Sequence, residues 1–243
     1  MIKLRVPILV SLLTLFVPAA SAAETNYLYQ AKLVQAAPGK LLELIDLYKS
    51  SVARYKEFDE EPPLWMRHSQ GDHWDLLILI PMKSYSEYFS AERVTRRKLA
   101  AGNLATTIDG SIAWQEDVFV YGPPVDEVRK VFASASFFHV EMFHSLAGKQ
   151  SELVKEREME NAYLKTLKRP ENLIFVRDQG AAWDLFTIGA YRDLRHFAES
   201  AAIPESDQEA AAKAAGFAAA NRIGPYLRTL ISSHHDTLAV TIK

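Results

Sequence analysis

Hydrophobic and polar residues follow the same succession of patterns in two stretches of the chain. Residues 27–35 and residues 137–144 alternate with a period of two, which predicts a strand at the start of each stretch. A glycine turn follows each strand, and residues 40–58 and 149–167 then carry apolar side chains at helical spacing. Each stretch is therefore predicted to begin with a strand and a long helix.

The rest of each stretch predicts a hairpin, a second helical segment and a last strand. The hairpin strands are residues 64–69 with 73–81 and residues 173–177 with 182–190, and the last strands are residues 117–121 and 237–242. Capping patterns predict helix starts at residues 84–87, at Asp193 and at residues 206–209, the last opening an alanine-rich helix toward Asn221. The order β-α-β-β-α-β, read twice, is the ferredoxin-like arrangement.

Identical residues recur at a shift of 109 positions, and they fall on turns and on tryptophan. The matches include Gly39-Lys40 with Gly148-Lys149, Gln70-Gly71 with Gln179-Gly180, and Trp74-Asp75-Leu76 with Trp183-Asp184-Leu185. Duplication explains them economically. The sequence predicts an α+β protein of two ferredoxin-like units, residues 23–121 and 134–243, joined by a linker at residues 122–133 and packed together.

The N-terminal residues have the pattern of a secretory signal peptide. Lys3 and Arg5 precede an apolar run over residues 6–17, and the small residues Ala20-Ser21-Ala22 resemble a cleavage site. We expect residues 1–22 to be removed and the mature protein to be periplasmic or secreted, with no membrane segment. The chain has no cysteine, so neither a disulfide framework nor a thiol nucleophile is expected.

Charge argues against a nucleic-acid partner. Without Lys3 and Arg5, 26 basic residues remain against 30 acidic ones, a net charge of −4. The densest basic cluster, residues 93–98, is interpreted as the solvated face of a helix rather than a phosphate-binding surface.

Two such units, each with a Gly-Lys turn before the first helix and a Gly-x-x-Trp-Asp-Leu hairpin, resemble the dimeric α/β-barrel superfamily, with NIPSNAP-like proteins as the most similar branch. The resemblance also extends to the antibiotic-biosynthesis monooxygenases. It implies two sheets placed face to face, here supplied by one chain. The superfamily contains cofactor-free oxygenases, haem enzymes and plain binding proteins, and no catalytic motif in this sequence selects among them, so the cofactor is left unassigned.

The first strand of each unit carries the main candidate site residues. Its apolar positions are assigned to the helix side, which leaves Gln30, Lys32, His139 and Glu141 facing a cavity between the two sheets. One interpretation is a structural ion pair between Lys32 and Glu141. The other makes His139 a catalytic acid or base, with Glu141 orienting it.

Further candidates lie on the hairpins. Arg67, His68 and Arg177 are placed to receive a carboxylate, although charged strand ends are also common without function. Trp74 and Trp183 either line the cavity beside a planar ligand or fill the core, and strand parity does not decide between these.

No metal site is predicted. His234-His235-Asp236 is interpreted as a solvated loop, because adjacent side chains on an extended segment point in opposite directions. The glutamates at 156, 158 and 160 are interpreted as not sharing one helical face.

The function that these observations favour is an exported small-molecule binding or accessory protein with its ligand between the two sheets. The alternative is a cofactor-independent oxygenase-like or isomerase-like enzyme that uses the same cavity through His139 and Glu141. A purely structural role for the polar residues also stays open, as does self-association into a homo-oligomer.

Overall fold

The computed structural model describes residues 27–180 and 183–242, so the predicted signal peptide, residues 1–22, lies outside the described part. The strands are β1 (Tyr27–Ala36), β2 (Leu64–Gln70), β3 (Leu76–Lys83), β4 (Ile112–Gly122), β5 (Phe137–Ser145), β6 (Leu173–Gly180), β7 (Leu185–Tyr191) and β8 (Ile231–Thr241). The helices are α1 (Leu41–Glu57), α2 (Tyr85–Tyr88), α3 (Ala91–Ala101), α4 (Leu104–Asp109), α5 (Val125–Ser134), α6 (Gln150–Thr166), α7 (Leu194–Ala198), α8 (Glu205–Ala214) and α9 (Ile223–Arg228).

The eight strands close into one antiparallel barrel in the order β1-β3-β2-β8-β5-β7-β6-β4. Each half contributes four neighbouring strands, and the halves meet where β2 pairs with β8 and where β4 pairs with β6. Strands β4 and β8 are longer than predicted, and each pairs with a strand of its own half and one of the other half. The predicted pair of ferredoxin-like units packed as an α/β barrel is confirmed.

The barrel interior is filled with apolar side chains, which corrects the predicted orientation of the first strands. Tyr29, Ala31 and Leu33 of β1 point inward and pack with Phe138 and Val140 of β5. An eight-stranded barrel has an interior just wide enough for side chains to fill, so the most apolar face of every strand is turned inward. The alternate set of the first strands, which includes Gln30, Lys32, His139 and Glu141, therefore lies on the outer, helix-facing side.

The Trp-Asp pair of the repeat has a structural role in both halves. Trp74 and Trp183 are buried inside the barrel. The carboxylate of Asp75 accepts a hydrogen bond from the backbone N–H of Ala36 at 2.8 Å, and that of Asp184 accepts one from Ser145 at 2.9 Å. Each motif thus fills the interior and fixes the end of the first strand of its half.

Helices cover the outer faces of the barrel. In the first half, α1 packs Leu44 and Ile45 on the sheet, and in the second half α6 packs Leu153. The predicted linker segment contains part of helix α5. None of the helices in the described ranges is long and apolar enough to cross a membrane.

The predicted caps at Ser84 and Asp193 are confirmed, since each side chain accepts a hydrogen bond from a backbone N–H three residues on. The predicted cap at Ser206 is wrong. Helix α8 begins at Glu205 after Pro204, whose fixed backbone angle suits the start of a helix, and it ends at Ala214 rather than near Asn221.

Candidate functional site

Two carboxylates face each other across neighbouring strands on the helix side of the second half. Glu141 of β5 lies directly opposite Asp236 of β8 in the register of the sheet. Like charges at directly opposed positions destabilise a sheet, so a positive charge near Glu141 and Asp236 would stabilise this pair. His139 lies two residues before Glu141 on the same face, and its Nε2 is 3.6 Å from Oδ1 of Asp236.

The environment of His139 favours its cationic form. Burial lowers the pKa of the imidazole, but the contact with Asp236 and the negative charge of Glu141 outweigh that effect, and the pKa is raised above its ordinary value. The same contact with His139 is the main reason that the pKa of Asp236 is lowered. The ring also packs against Phe197, with 5.3 Å between ring centroids. This arrangement can hold a proton, or another cation, between imidazole and carboxylate.

A buried arginine lies behind the cluster. Arg157 of α6 donates from Nε and Nη2 to Glu156 at 2.6 and 2.8 Å. Its Nη1 contacts Glu160 and lies 3.6 Å from Oε2 of Glu141. One guanidinium therefore contacts three glutamates. Burial, together with the neighbouring carboxylates, raises the pKa of Glu160 to about 7, although the positive charge of Arg157 lowers it.

The equivalent positions of the first half carry different chemistry. At the shift of 109, Lys32 takes the place of Glu141, and it lies opposite Asp117 of β4. Its Nζ is 3.6 Å from Oδ1 of Asp117, and the amide of Gln30 donates to the same oxygen at 3.3 Å. The residues that face each other across the strands here, Lys32 and Asp117, therefore carry opposite charges. The predicted pairing of Lys32 with Glu141 is wrong, because each residue pairs within its own half.

A pocket of about 180 Å³ lies beside Lys32, between the outer face of the sheet and helices α1 and α4. Tyr48, at the position equivalent to Arg157, lines it together with Ser51 and Tyr55. Burial raises the pKa of Tyr48 and raises that of Tyr55 to about 12, so both hydroxyls remain donors at neutral pH. The remaining lining includes the apolar side chains Val52, Ile78, Ile80, Leu104 and Ile108.

Comparison with known proteins identifies the fold. No family model and no curated protein matches the chain. An anthrone oxidase-like protein superposes with a TM-score of 0.56 at 10% identity, over 91% of this chain and 93% of the other. Candidate monooxygenases from Lactobacillus acidophilus and Fusobacterium nucleatum superpose with TM-scores of 0.52 and 0.56, at 12% and 10% identity, over 89% and 90% of this chain and 94% of each of those chains.

The fold is a dimeric α/β barrel. Identities this low establish the fold and leave the chemistry to be argued from the residues. All eight strands of the closed barrel come from one polypeptide, so a single chain completes the dimeric α/β barrel here.

Trp74, Trp183 and His68 lie inside the barrel, whereas Lys32 and Glu141 lie on its outer face. Their aromatic rings fill space, with 5.7 Å between the ring centroids of His68 and Trp74. The Nε1 atoms of Trp74 and Trp183 and the Nε2 atom of His68 are buried, without a hydrogen-bond partner among the described residues. The cavity predicted between the two sheets is thus occupied by side chains of the protein itself.

The two hairpin arginines do not join these sites. Arg67 is exposed on β2. Arg177 of β6 contacts the carboxylate of Asp184, the aspartate of the Trp-Asp pair. The two arginines therefore do not lie in one pocket where they could bind a carboxylate together, as the sequence predicted.

One sequence interpretation near the cluster is corrected, and a second is refined. His234, His235 and Asp236 belong to β8 rather than to a loop, and alternation on that strand places His234 and Asp236 on one face, with 3.2 Å from Nε2 to Oδ2. The three glutamates of α6 do not share one helical face, but Glu156 and Glu160, four residues apart, lie on the same side of the helix and both contact Arg157. A period of two on β8 would have placed Asp236 on the same face as His234. A helical period on α6 would have placed Glu160 on the same side as Glu156.

The basic cluster at residues 93–98 is not a solvated helix face. Arg93 and Arg96 donate to the buried carboxylate of Glu60, and the guanidinium of Arg97 lies 3.6 Å from the ring centroid of Tyr88. Three arginines around one carboxylate hold α3 against the segment before β2. The sequence alone could not reveal this role of the arginines, because Glu60 lies 33 residues before Arg93.

Proposed function

We propose that this protein binds a small, neutral, partly apolar molecule with a hydrogen-bonding group, such as a monocyclic phenol or carbonyl compound, in the first-half pocket beside Lys32. The observation that carries the proposal is the pocket itself, which joins apolar walls to a few convergent polar groups. That combination is typical of small-molecule sites in proteins.

The polar lining favours a neutral ligand. The ammonium group of Lys32 is already paired with Asp117, and Asp109 adds a second carboxylate to the lining. An anion would meet more negative than positive charge at this site. The hydroxyls of Tyr48 and Tyr55 can instead donate to a carbonyl or phenol oxygen.

The size of the pocket sets the size of the ligand. A dry cavity of roughly 150 Å³ is known to hold a single benzene molecule in another protein. The volume of about 180 Å³ therefore fits one six-membered ring with one or two small substituents.

The difference between the two halves supports a binding role in the first. The Arg157 cluster occupies the corresponding region of the second half with ion pairs. The first half has a tyrosine at that position and keeps open space instead. A structural duplicate would gain stability by filling this space, because empty volume forfeits packing contacts.

Isothermal titration calorimetry of the full chain with phenol, hydroquinone and benzaldehyde tests the proposal. Tyr48→Phe removes one donor and should weaken binding roughly fivefold, since a neutral hydrogen bond contributes about 1 kcal/mol. Val52→Phe places a ring in the pocket and should abolish binding. Leu42→Phe, on the exposed face of the same helix, is the matched control and should bind as the unchanged protein does.

Binding that survives Val52→Phe would show that these compounds bind elsewhere. Failure of all three compounds to bind would contradict the ligand class. Melting temperatures of the variants without ligand check that each change is local.

A second candidate, an oxygenase-like or isomerase-like enzyme, is favoured by the contact of His139 with Asp236 and Glu141. His139 would act as the base, and because its pKa is raised, turnover should increase with pH through a value above the ordinary pKa of histidine. Oxygen uptake with the same phenols, compared between His139→Gln and the control His235→Gln, measures this. Equal uptake in the two variants would eliminate His139 as the base.

Export and membership of the NIPSNAP-like branch are also part of the proposal. The basic, apolar and small-residue order of residues 1–22 supports export. Mass spectrometry of the protein recovered from the producing cells should find a chain beginning at Ala23, in the periplasmic or secreted fraction. An intact N-terminus in the cytoplasmic fraction would contradict export.

A further inference from the structure

We propose that His139, Glu141 and Asp236 bind a divalent cation of the zinc or manganese type on the helix-facing side of the second half. The three residues each offer a ligand atom, and these atoms all lie within 4.8 Å of one another. They come from two paired strands, so the sheet itself holds them together.

The distance between the ligand atoms of His139 and Asp236 already matches that of a metal site, without movement of either side chain. Ligand atoms bound to zinc at the usual 2.0 to 2.2 Å in tetrahedral geometry are about 3.4 Å apart. The Nε2 of His139 and the Oδ1 of Asp236 are separated by 3.6 Å. A set of one imidazole and two carboxylates suits zinc, iron or manganese better than calcium, which prefers oxygen ligands alone.

Comparison of the two halves gives an independent reason for a cation. The first half places Lys32 opposite Asp117, so the cross-strand pair is neutral. The second half places Glu141 opposite Asp236 in the same geometry and has no lysine there. The positive charge beside Asp236 comes from the imidazoles of His139 and His234, which carry it only when they are protonated. A bound cation would supply the positive charge that the opposed carboxylates require.

Arg157 does not replace that charge. Its guanidinium makes its shortest contacts with Glu156 and Glu160, and it lies 3.6 Å from Glu141. One positive charge is thus shared among three glutamates, before Asp236 is counted.

The surroundings hold the carboxylate ligands in place, as outer groups do in metal sites. The hydroxyl of Thr187 donates to Oε2 of Glu141 at 3.1 Å. Nε2 of His234 lies 3.2 Å from Oδ2 of Asp236. Asp236 is half exposed, so an ion can enter from solvent and keep water or a substrate as a further ligand.

This inference is independent of the first-half pocket, and it competes with the second candidate function. A metal-bound imidazole is not available as a general base. Metal binding at His139 and proton abstraction by His139 are therefore alternatives that one set of variants can distinguish.

Isothermal titration calorimetry of the full chain, freed of metal with a chelator, is the test, using Zn²⁺ and Mn²⁺ in separate titrations. One ion per chain is expected. Asp236→Asn and His139→Gln should each weaken binding at least tenfold. His235→Gln, a histidine of the same strand on the opposite face, is the control and should change the affinity less than twofold.

Cobalt absorption provides a second measurement, because Co²⁺ in a site with nitrogen and oxygen ligands shows visible bands that depend on its coordination. These bands should disappear in Asp236→Asn, whose half-exposed side chain can be changed without loss of the fold. Binding by Asp236→Asn and His139→Gln equal to that of the unchanged chain would overturn the proposal. So would the absence of binding by the unchanged chain at millimolar metal.

Discussion

Arg157 is the residue on which the electrostatics of the second half depend. It is almost fully buried, and the carboxylates of Glu156 and Glu160 contact it directly. Removing one partner from a buried ion pair leaves uncompensated charge in a poorly solvated place.

Arg157→Met should therefore lower the free energy of unfolding by about 3 to 5 kcal/mol. Lys155→Met, an exposed change on the same helix, should lie within about 0.5 kcal/mol of the unchanged protein. Urea denaturation at neutral pH measures both variants. Equal stability of the two would show that the glutamates find other partners.

Glu160 gives the second half a definite pH dependence. Burial raises its pKa from 4.5 to about 7 in the folded protein, so the folded state binds more protons than the unfolded state between these values. Its contribution to stability is fully present below pH 4.5 and is lost as the pH rises through 7. The raised pKa of His139 acts in the same direction at higher pH.

Glu160→Gln stays uncharged at every pH, so its stability relative to the unchanged protein should increase from pH 4.5 to pH 7. Glu158→Gln, exposed on the same helix, controls for the loss of one surface carboxylate. Denaturation curves at several pH values provide the comparison. A constant difference between Glu160→Gln and the unchanged protein across this range would contradict the assignment.

At this scale the sequence identified polar residues worth attention but placed them on the wrong face. Alternation on the first strands correctly separated His139 and Glu141 from their apolar neighbours. Which set faces inward depends on closure of the barrel, which no single strand encodes. Asp236 was missed because its segment was interpreted as a loop rather than as a strand beside β5, and Arg157 was missed because its contact with Glu141 depends on how α6 packs on the sheet.

Among the elements, the two hairpin turns show why the repeat retains glycine. Gly71 has a φ of +122° and Gly180 a φ of +103°, a region that side chains rarely adopt. A Cβ at Gly71 would lie 2.4 Å from the backbone oxygen of Asp236, and one at Gly180 would lie 2.7 Å from that of Asp117. Both glycines lie directly against a strand of the barrel.

Gly71→Ala should therefore destabilise the protein by about 2 to 4 kcal/mol through backbone strain and the clash together. Gly39→Ala is a matched control, since its φ is +76° but nothing lies within 4 Å of the added Cβ, and it should cost only about 1 kcal/mol. Thermal unfolding of both variants measures the two losses of stability. A smaller effect at Gly71 than at Gly39 would show that the hairpin moves away freely.

Periodicity and turn residues were sufficient for most elements. The long helices and first strands were predicted to within about one residue, because each has a uniform pattern and a glycine or proline at its end. Strand β8 was predicted too short because residues Ser232 to Asp236, near its start, carry polar side chains that suggest a loop. Pairing with β5 makes them a strand.

For the whole molecule, the central fact is that neither half has a covered interior by itself. The inward faces of β1 and β5 belong to one apolar cluster, and the halves are joined through β2 with β8 and β4 with β6. Separation would expose that cluster and leave two strand edges unpaired in each half.

Residues 27–122 and 134–242, produced as separate fragments, should be insoluble or self-associate, and mixing them during refolding should restore one monomeric barrel. Light scattering and circular dichroism of the fragments test this. Two fragments that each stay monomeric and cooperatively folded would contradict it. The repeat in the sequence predicted this dependence, whereas the filled interior required the structure.

Closure of the barrel also moves the proposed ligand site, from the space between the sheets to the space between sheet and helices. A crystal structure of the full chain grown with phenol or benzaldehyde tests this claim most directly. Density for the ligand is expected beside Lys32 and Tyr48, between the outer face of the sheet and α1. Density inside the barrel beside Trp74 and Trp183, with the first-half pocket empty, would contradict it.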